Sequence, residues 1–189
     1  MPKLSFKFLP SETSNDHQVR VLIDDCDILA KIDSTTLGID PVEFFAQKAL
    51  RTSGDLLIGR CGCGCVGCGD IFVTVNRTVD MVEVHSRYPW MSVTTFERSA
   101  FDRAVTAGAS DVSWETVERT AERIVAQLDY SQLAQNGLKF EWASARISAD
   151  KITLSFGRGT TQQLFDVPWN HRDPNDAVAA VRGMLAKWR

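Results

Sequence analysis

The sequence predicts an α+β fold, a largely antiparallel sheet built from hairpins and packed with three to four helices. Three observations predict it. Apolar residues alternate at period two over several short stretches, as in half-buried strands. Turn-forming residues separate neighbouring stretches closely enough for hairpins. Helical stretches are interspersed among the strands without the strict alternation of a doubly wound fold.

The elements follow in order along the chain. Leu4, Phe6 and Phe8 mark a first strand, Val19, Val21 and Ile23 a second, and Ile28, Ala30 and Ile32 a third. Asp24-Asp25-Cys26-Asp27 supplies a tight turn between the last two. A helix starts at Asp40-Pro41-Val42-Glu43, where Asp40 caps, Pro41 takes the first helical position and Glu43 completes a capping box. Val42, Phe45, Ala46 and Ala49 are its expected buried stripe. Strands return at Leu56 to Ile58, Ile71 to Val75 and Met81 to Arg87, the last two joined by the turn Asn76 to Asp80. A short helix fits Ser99 to Ala107, stopped by Gly108. The longest helix runs from about Ser113 to Gln135, because Trp114, Val117, Ala121, Ile124, Val125 and Leu128 keep helical spacing. Glu115 and Glu118 suit its positive end, and Asn136-Gly137 stops it. Ala143, Ala145 and Ile147 then mark one strand and Ile152, Leu154 and Phe156 the next. Asp173-Pro174-Asn175-Asp176 repeats the earlier start signal, with Val178, Val181, Leu185 and Trp188 on one face of a C-terminal helix.

No repeat, low-complexity tract or Gly/Ser-rich linker divides the 189 residues, so residues 1–189 read as a single domain. The length is enough to bury a core without disulfides or metal. Lys and Arg number 21 against 24 Asp and Glu, a net charge of -3. That balance leaves no positive excess for phosphates, which argues against a nucleic-acid partner and against an anionic membrane surface. No apolar run reaches transmembrane length, and MPKLSFKFLP lacks the pattern of a signal peptide, so the expected location is cytoplasmic.

Four of the five cysteines fall within Cys61-Gly62-Cys63-Gly64-Cys65-Val66-Gly67-Cys68. Several soft sulfur atoms converging on one point are what a thiolate metal site needs, and interleaved glycines let so short a loop turn on itself. Reduced cytoplasmic thiols favour a metal over stable disulfides, so zinc is the expected cofactor and Cys61, Cys63, Cys65 and Cys68 the candidate ligands. The spacing differs from a zinc finger, whose two ligand pairs clip distant parts of the chain together. A four-sulfur site within one loop is sterically demanding, so three sulfurs with a fourth ligand from elsewhere is the alternative. If Val75 pairs with Met81, His85 falls opposite Ile71 and becomes that candidate; Cys65, Cys26 and water are the others. Two competing explanations stay open. The thiols can sit reduced and metal-free in a Gly-rich loop, or Cys65-Val66-Gly67-Cys68 can act as a C-x-x-C redox pair. The redox motif normally opens a helix, whereas this one leads into a strand.

The stretch resembles a family of uncharacterised bacterial proteins, common in actinobacteria, marked by C-x-C-G-x-x-G-C after a strand. The matching residues are Cys61, Cys63, Gly64, Gly67 and Cys68, preceded by Leu56 to Arg60 and followed by Ile71 to Val75. Phe96-Glu97-Arg98-Ser99-Ala100-Phe101-Asp102-Arg103 is similar to that family's Phe-x-x-x-x-Phe-Asp-Arg segment. The resemblance covers about the middle third of the chain. It implies that Cys61, Cys63 and Cys68 are the shared set and Cys65 a variable position, and it carries no established activity.

Other patterns have plainer explanations. Gly157-Arg158-Gly159-Thr160-Thr161 lacks the ending of a phosphate loop and reads as a hairpin turn. Asp24, Asp25 and Asp27 lack the pattern of a calcium loop and read as solvated turn carboxylates. Trp90, Trp142, Trp169 and Trp188 read as core, with Tyr88-Pro89-Trp90 a candidate exposed loop. His17, His85 and His171 form no nucleophile-base signature, so no catalytic residue is assigned. The sequence points to a non-enzymatic binding or interaction protein whose cysteine loop holds structural zinc, with a thiol-based redox enzyme or sensor as the alternative. Small size and acidity fit a protein partner of opposite charge, such as a basic toxin in bacterial competition.

Overall fold

A computed structural model describes residues 1–11, 16–32, 35–63, 66–88 and 93–188, the side chain of Trp188 excepted. Cys65 and Trp90, singled out in the sequence, lie outside the described residues. Among the described residues are eleven strands in three antiparallel sheets and five α-helices, the mixed α+β architecture expected. By contacts the chain clusters into two compact units, Met1–Trp114 and Glu115–Arg189. Composition carries no sign of this boundary, because Asp111 to Thr116 contains neither glycine nor proline.

The first unit contains two sheets. Strands β1 (Leu4–Ser11), β2 (Asp16–Ile23) and β3 (Cys26–Asp27) form the first in that order. Asp24 and Asp25 turn the chain between β2 and β3 with φ of 50° and 61°, the two left-handed positions of a type I′ hairpin. Asp24 Oδ1 accepts the Lys3 N–H at 2.8 Å, which ties this turn to the start of β1. The expected strand over Ile28 to Ile32 is instead a series of turns. Asp27 Oδ1 accepts the N–H groups of Leu29 and Ala30, so β3 ends there while Ile28 and Leu29 still enter the core.

The second sheet has the order β4 (Leu37–Gly38), β5 (Gly54–Arg60), β6 (Ile71–Arg77), β7 (Met81–His85) and β8 (Val93–Glu97). A bridge between Val19 and Ile39 links the two sheets. Between β4 and β5, α1 (Pro41–Ala46) starts as the sequence indicates, with Asp40 accepting from the N–H groups of Val42 and Glu43. Its stripe differs from expectation: Val42 is exposed, whereas Phe44 is fully buried. The helix is cut short at Gln47, whose backbone is extended and whose side chain bonds both the N–H and the carbonyl of Leu57.

Helix α2 (Arg98–Ser110) does not stop at Gly108 but runs through it. A Cβ on Gly108 would sit 2.7 Å from ring atoms of both Phe6 and Phe45, so this glycine permits close packing. The Phe-Asp-Arg segment is structural. Phe96 and Phe101 are buried edge-to-face at 5.7 Å, and Asp102 pairs with Arg77 and Arg98.

In the second unit the expected long helix is divided into α3 (Val117–Ala126) and α4 (Ser131–Gln135). Asp129 Oδ1 accepts the Ser131 N–H, and buried Tyr130 donates its hydroxyl to the Val125 carbonyl while stacking on Phe140. Gly137 ends α4 with φ of 78°, as expected. The third sheet has β10 (Lys151–Arg158) between β9 (Lys139–Ser144) and β11 (Thr161–Pro168). Gly159, at φ of 62°, makes the β10–β11 hairpin turn read from the sequence. Strand β9 ends before Ala145, whose N–H donates to Glu122 in α3, so the run to Ile147 is broken and Ile147 is exposed. Asp173 caps α5 (Pro174–Leu185), and Ala177 and Val181 pack into a core around Leu154 and Phe156.

Candidate metal centre

The cysteine loop connects β5 to β6 within the first unit. Pairing of these strands closes with Gly59 opposite Ile71 after a register shift at Leu57 to Gly59. Beyond that pair the loop is joined by side chains. Arg60 Nε lies 3.6 Å from Asp70 Oδ1, and Asp70 Oδ2 accepts the Gly67 N–H at 3.3 Å. Arg60 is in turn fixed by Glu43 of α1, Nη2 to Oε1 at 3.1 Å.

Glycines permit the close approaches around this frame. A Cβ on Gly62 would lie 2.8 Å from the Thr35 carbonyl oxygen, so the loop rests on residues just before β4. Gly69, with φ of 65°, places its backbone against Cys61; a Cβ there would lie 3.1 Å from that of Cys61. Gly67 adopts φ of 79° immediately before Cys68.

This arrangement brings three sulfur atoms together. The Sγ atoms of Cys61, Cys63 and Cys68 all lie within 4.8 Å of one another. Cys61 is half-buried, while Cys63 and Cys68 are exposed. Thiolates around a tetrahedral zinc are about 3.8 Å apart, given Zn–S bonds of about 2.3 Å. The three cysteines are therefore close enough to bind a metal ion. All described cysteines are thiols, with no disulfide among them.

The crowding has an electrostatic consequence. Cys68 is pushed up to about 12 by hydrogen bonding with Cys61 and then Cys63, and by the negative charge that those two carry when ionised. Three thiolates at this separation need a cation among them. The same effect disfavours Cys68 as a nucleophile, because the thiolate is the reactive form.

The other sequence candidates are placed elsewhere. His85 pairs across the ladder with Thr74, not with Ile71, because Val75 pairs with Val84 and not with Met81. The register differs because β6 continues to Arg77 and turns at Thr78, whose N–H and hydroxyl bond Met81. His85 Nε2 instead meets Glu83 Oε2 at 3.1 Å. Cys26 lies in β3, opposite Ile23. Among the described residues, neither His85 nor Cys26 belongs to the sulfur cluster.

The remaining candidates have structural partners. Asp27 pairs with buried Arg20 at 2.8 Å. Trp169 donates to the Asp173 carbonyl and stacks on His171. His17 packs on Trp114. What the sequence did not indicate is the Arg60–Asp70 pair. A basic and an acidic residue flanking the cysteine run was the available signal. No protein-family model matches the chain, and no curated protein or solved structure matches it.

Proposed function

We propose that this is a non-enzymatic binding or interaction protein in which Cys61, Cys63 and Cys68 hold a structural zinc that shapes the β5–β6 loop. The observation that carries this reading is the meeting of three sulfur atoms within 4.8 Å on one hairpin. Zinc suits soft thiolates and imposes no redox chemistry. Cys65, if it reaches the ion, supplies a fourth sulfur; otherwise water or a partner's ligand completes the shell. The protein partner is of basic character, a reading supported by the net charge of -3.

Elemental mass spectrometry of untagged protein, with thiol titration before and after chelation, tests the metal assignment. The expected result is about one zinc per chain with the loop thiols shielded until chelation. Metal-free protein whose thiols titrate at once would remove it.

A further inference from the structure

We propose that Asp70, Gly69 and Arg60 are the positioning residues of the cysteine site, holding Cys61 and Cys68 together before any cation arrives. This rests on the metal-site reading above and identifies what prepares the site.

The two outer cysteines adjoin the points where the loop is fastened. Cys61 follows Arg60, and Cys68 lies between Gly67 and Gly69. Asp70 spans both sides: one carboxylate oxygen accepts from Gly67 at 3.3 Å, and the other faces Arg60 at 3.6 Å. Arg60 Nε and Asp70 Oδ1 are buried and, among the described residues, have no hydrogen-bond partner, so their attraction acts in a poorly hydrated position. Arg60 transmits this hold to α1 through Glu43. Gly69 completes the closure, since its bare Cα lets the returning chain lie against Cys61.

The functional consequence is preorganisation. A cation entering a loosely ordered loop must order three side chains and the backbone that bears them, and that cost reduces affinity. Here much of that ordering is already supplied by groups that are not themselves members of the sulfur cluster.

The test compares wild type with Asp70→Ala, Asp70→Asn and Gly69→Ala by two measurements. Zinc affinity is read by competition with a chromophoric chelator. The proximity of Cys61 and Cys68 is read on metal-free protein as the rate at which dibromobimane bridges them, with the bridged pair mapped by mass spectrometry. Asp70→Ala is expected to weaken zinc binding about tenfold and to slow bridging several-fold. Asp70→Asn, which keeps an oxygen for the Gly67 N–H, is expected to recover part of both. Gly69→Ala is expected to reproduce the loss by a different route, and it keeps the proposal testable should Asp70→Ala fold poorly.

Unchanged affinity and unchanged bridging in Asp70→Ala and Gly69→Ala would overturn the proposal. If wild type binds no zinc, the metal reading fails separately, and the bridging rates alone decide whether these residues position the thiols.

Discussion

Cys68 shows how protonation governs the candidate site. Its neighbours hold it up to about 12, so near neutral pH the metal-free thiol is protonated and a bound cation must displace that proton. Zinc affinity is therefore expected to fall as pH is lowered from 8 to 6, by about tenfold per unit for each proton displaced; a pH series of chelator competitions measures it. The position of His85 opposite Thr74 has an equally direct consequence. His85→Ala and Cys26→Ser should retain the zinc stoichiometry of wild type, whereas Cys68→Ser should lose most of the metal, as read by elemental analysis of each purified variant. Glu122 is the other residue with high stakes. It is buried and receives Arg119, Arg146, Ser144 and the Ala145 N–H. Glu122→Ala leaves Arg119 buried without this partner and is expected to cost on the order of 3–5 kcal/mol, measurable by urea unfolding.

At the level of elements, the features legible in the sequence were those written in local chemistry. Asp40 and Asp173 announced α1 and α5 because a cap bonds backbone groups two or three residues away. Asp173→Ala should accordingly cost about 1 kcal/mol in equilibrium unfolding. Features set by distant partners were not legible. Gly108 resembled a helix stop because a glycine at positive φ and a glycine under an aromatic ring look alike in sequence. Gly108→Ala is expected to destabilise by about 1–3 kcal/mol, since Phe6 and Phe45 already occupy the space of its Cβ. The division between α3 and α4 is not legible because apolar spacing continues across it, whereas at the break Tyr130 is buried against Phe140. The three cysteines of the cluster were identifiable by residue type. Their exclusion of His85 was not, because it depends on where the β6–β7 turn sets the register.

Across the whole molecule, each unit has its own apolar core, one around Phe44, Phe96 and Phe101, the other around Leu154 and Phe156. A metal ion held by the three cysteines of the first unit would stabilise the state that binds it by mass action. Chelation is therefore expected to lower hydrogen-exchange protection in β5 and β6 while leaving β10 protected, and peptide-level exchange resolves the two. No described helix is long and apolar enough to cross a membrane. The sulfur cluster also has a temporal aspect. Cys61 to Cys68 are near neighbours in the chain, and the latch that fastens them ends at Asp70. Closing so short a loop costs little entropy, and all three cysteines of the cluster lie within Met1–Trp114. During synthesis every cysteine of the cluster and every residue of the latch has thus left the ribosome once Asp70 has, before β6 is available to pair with β5. An ion captured at that stage would hold the facing ends of β5 and β6 close while the rest of the sheet forms, and the exposed thiols of Cys63 and Cys68 stay open to loading after release as well.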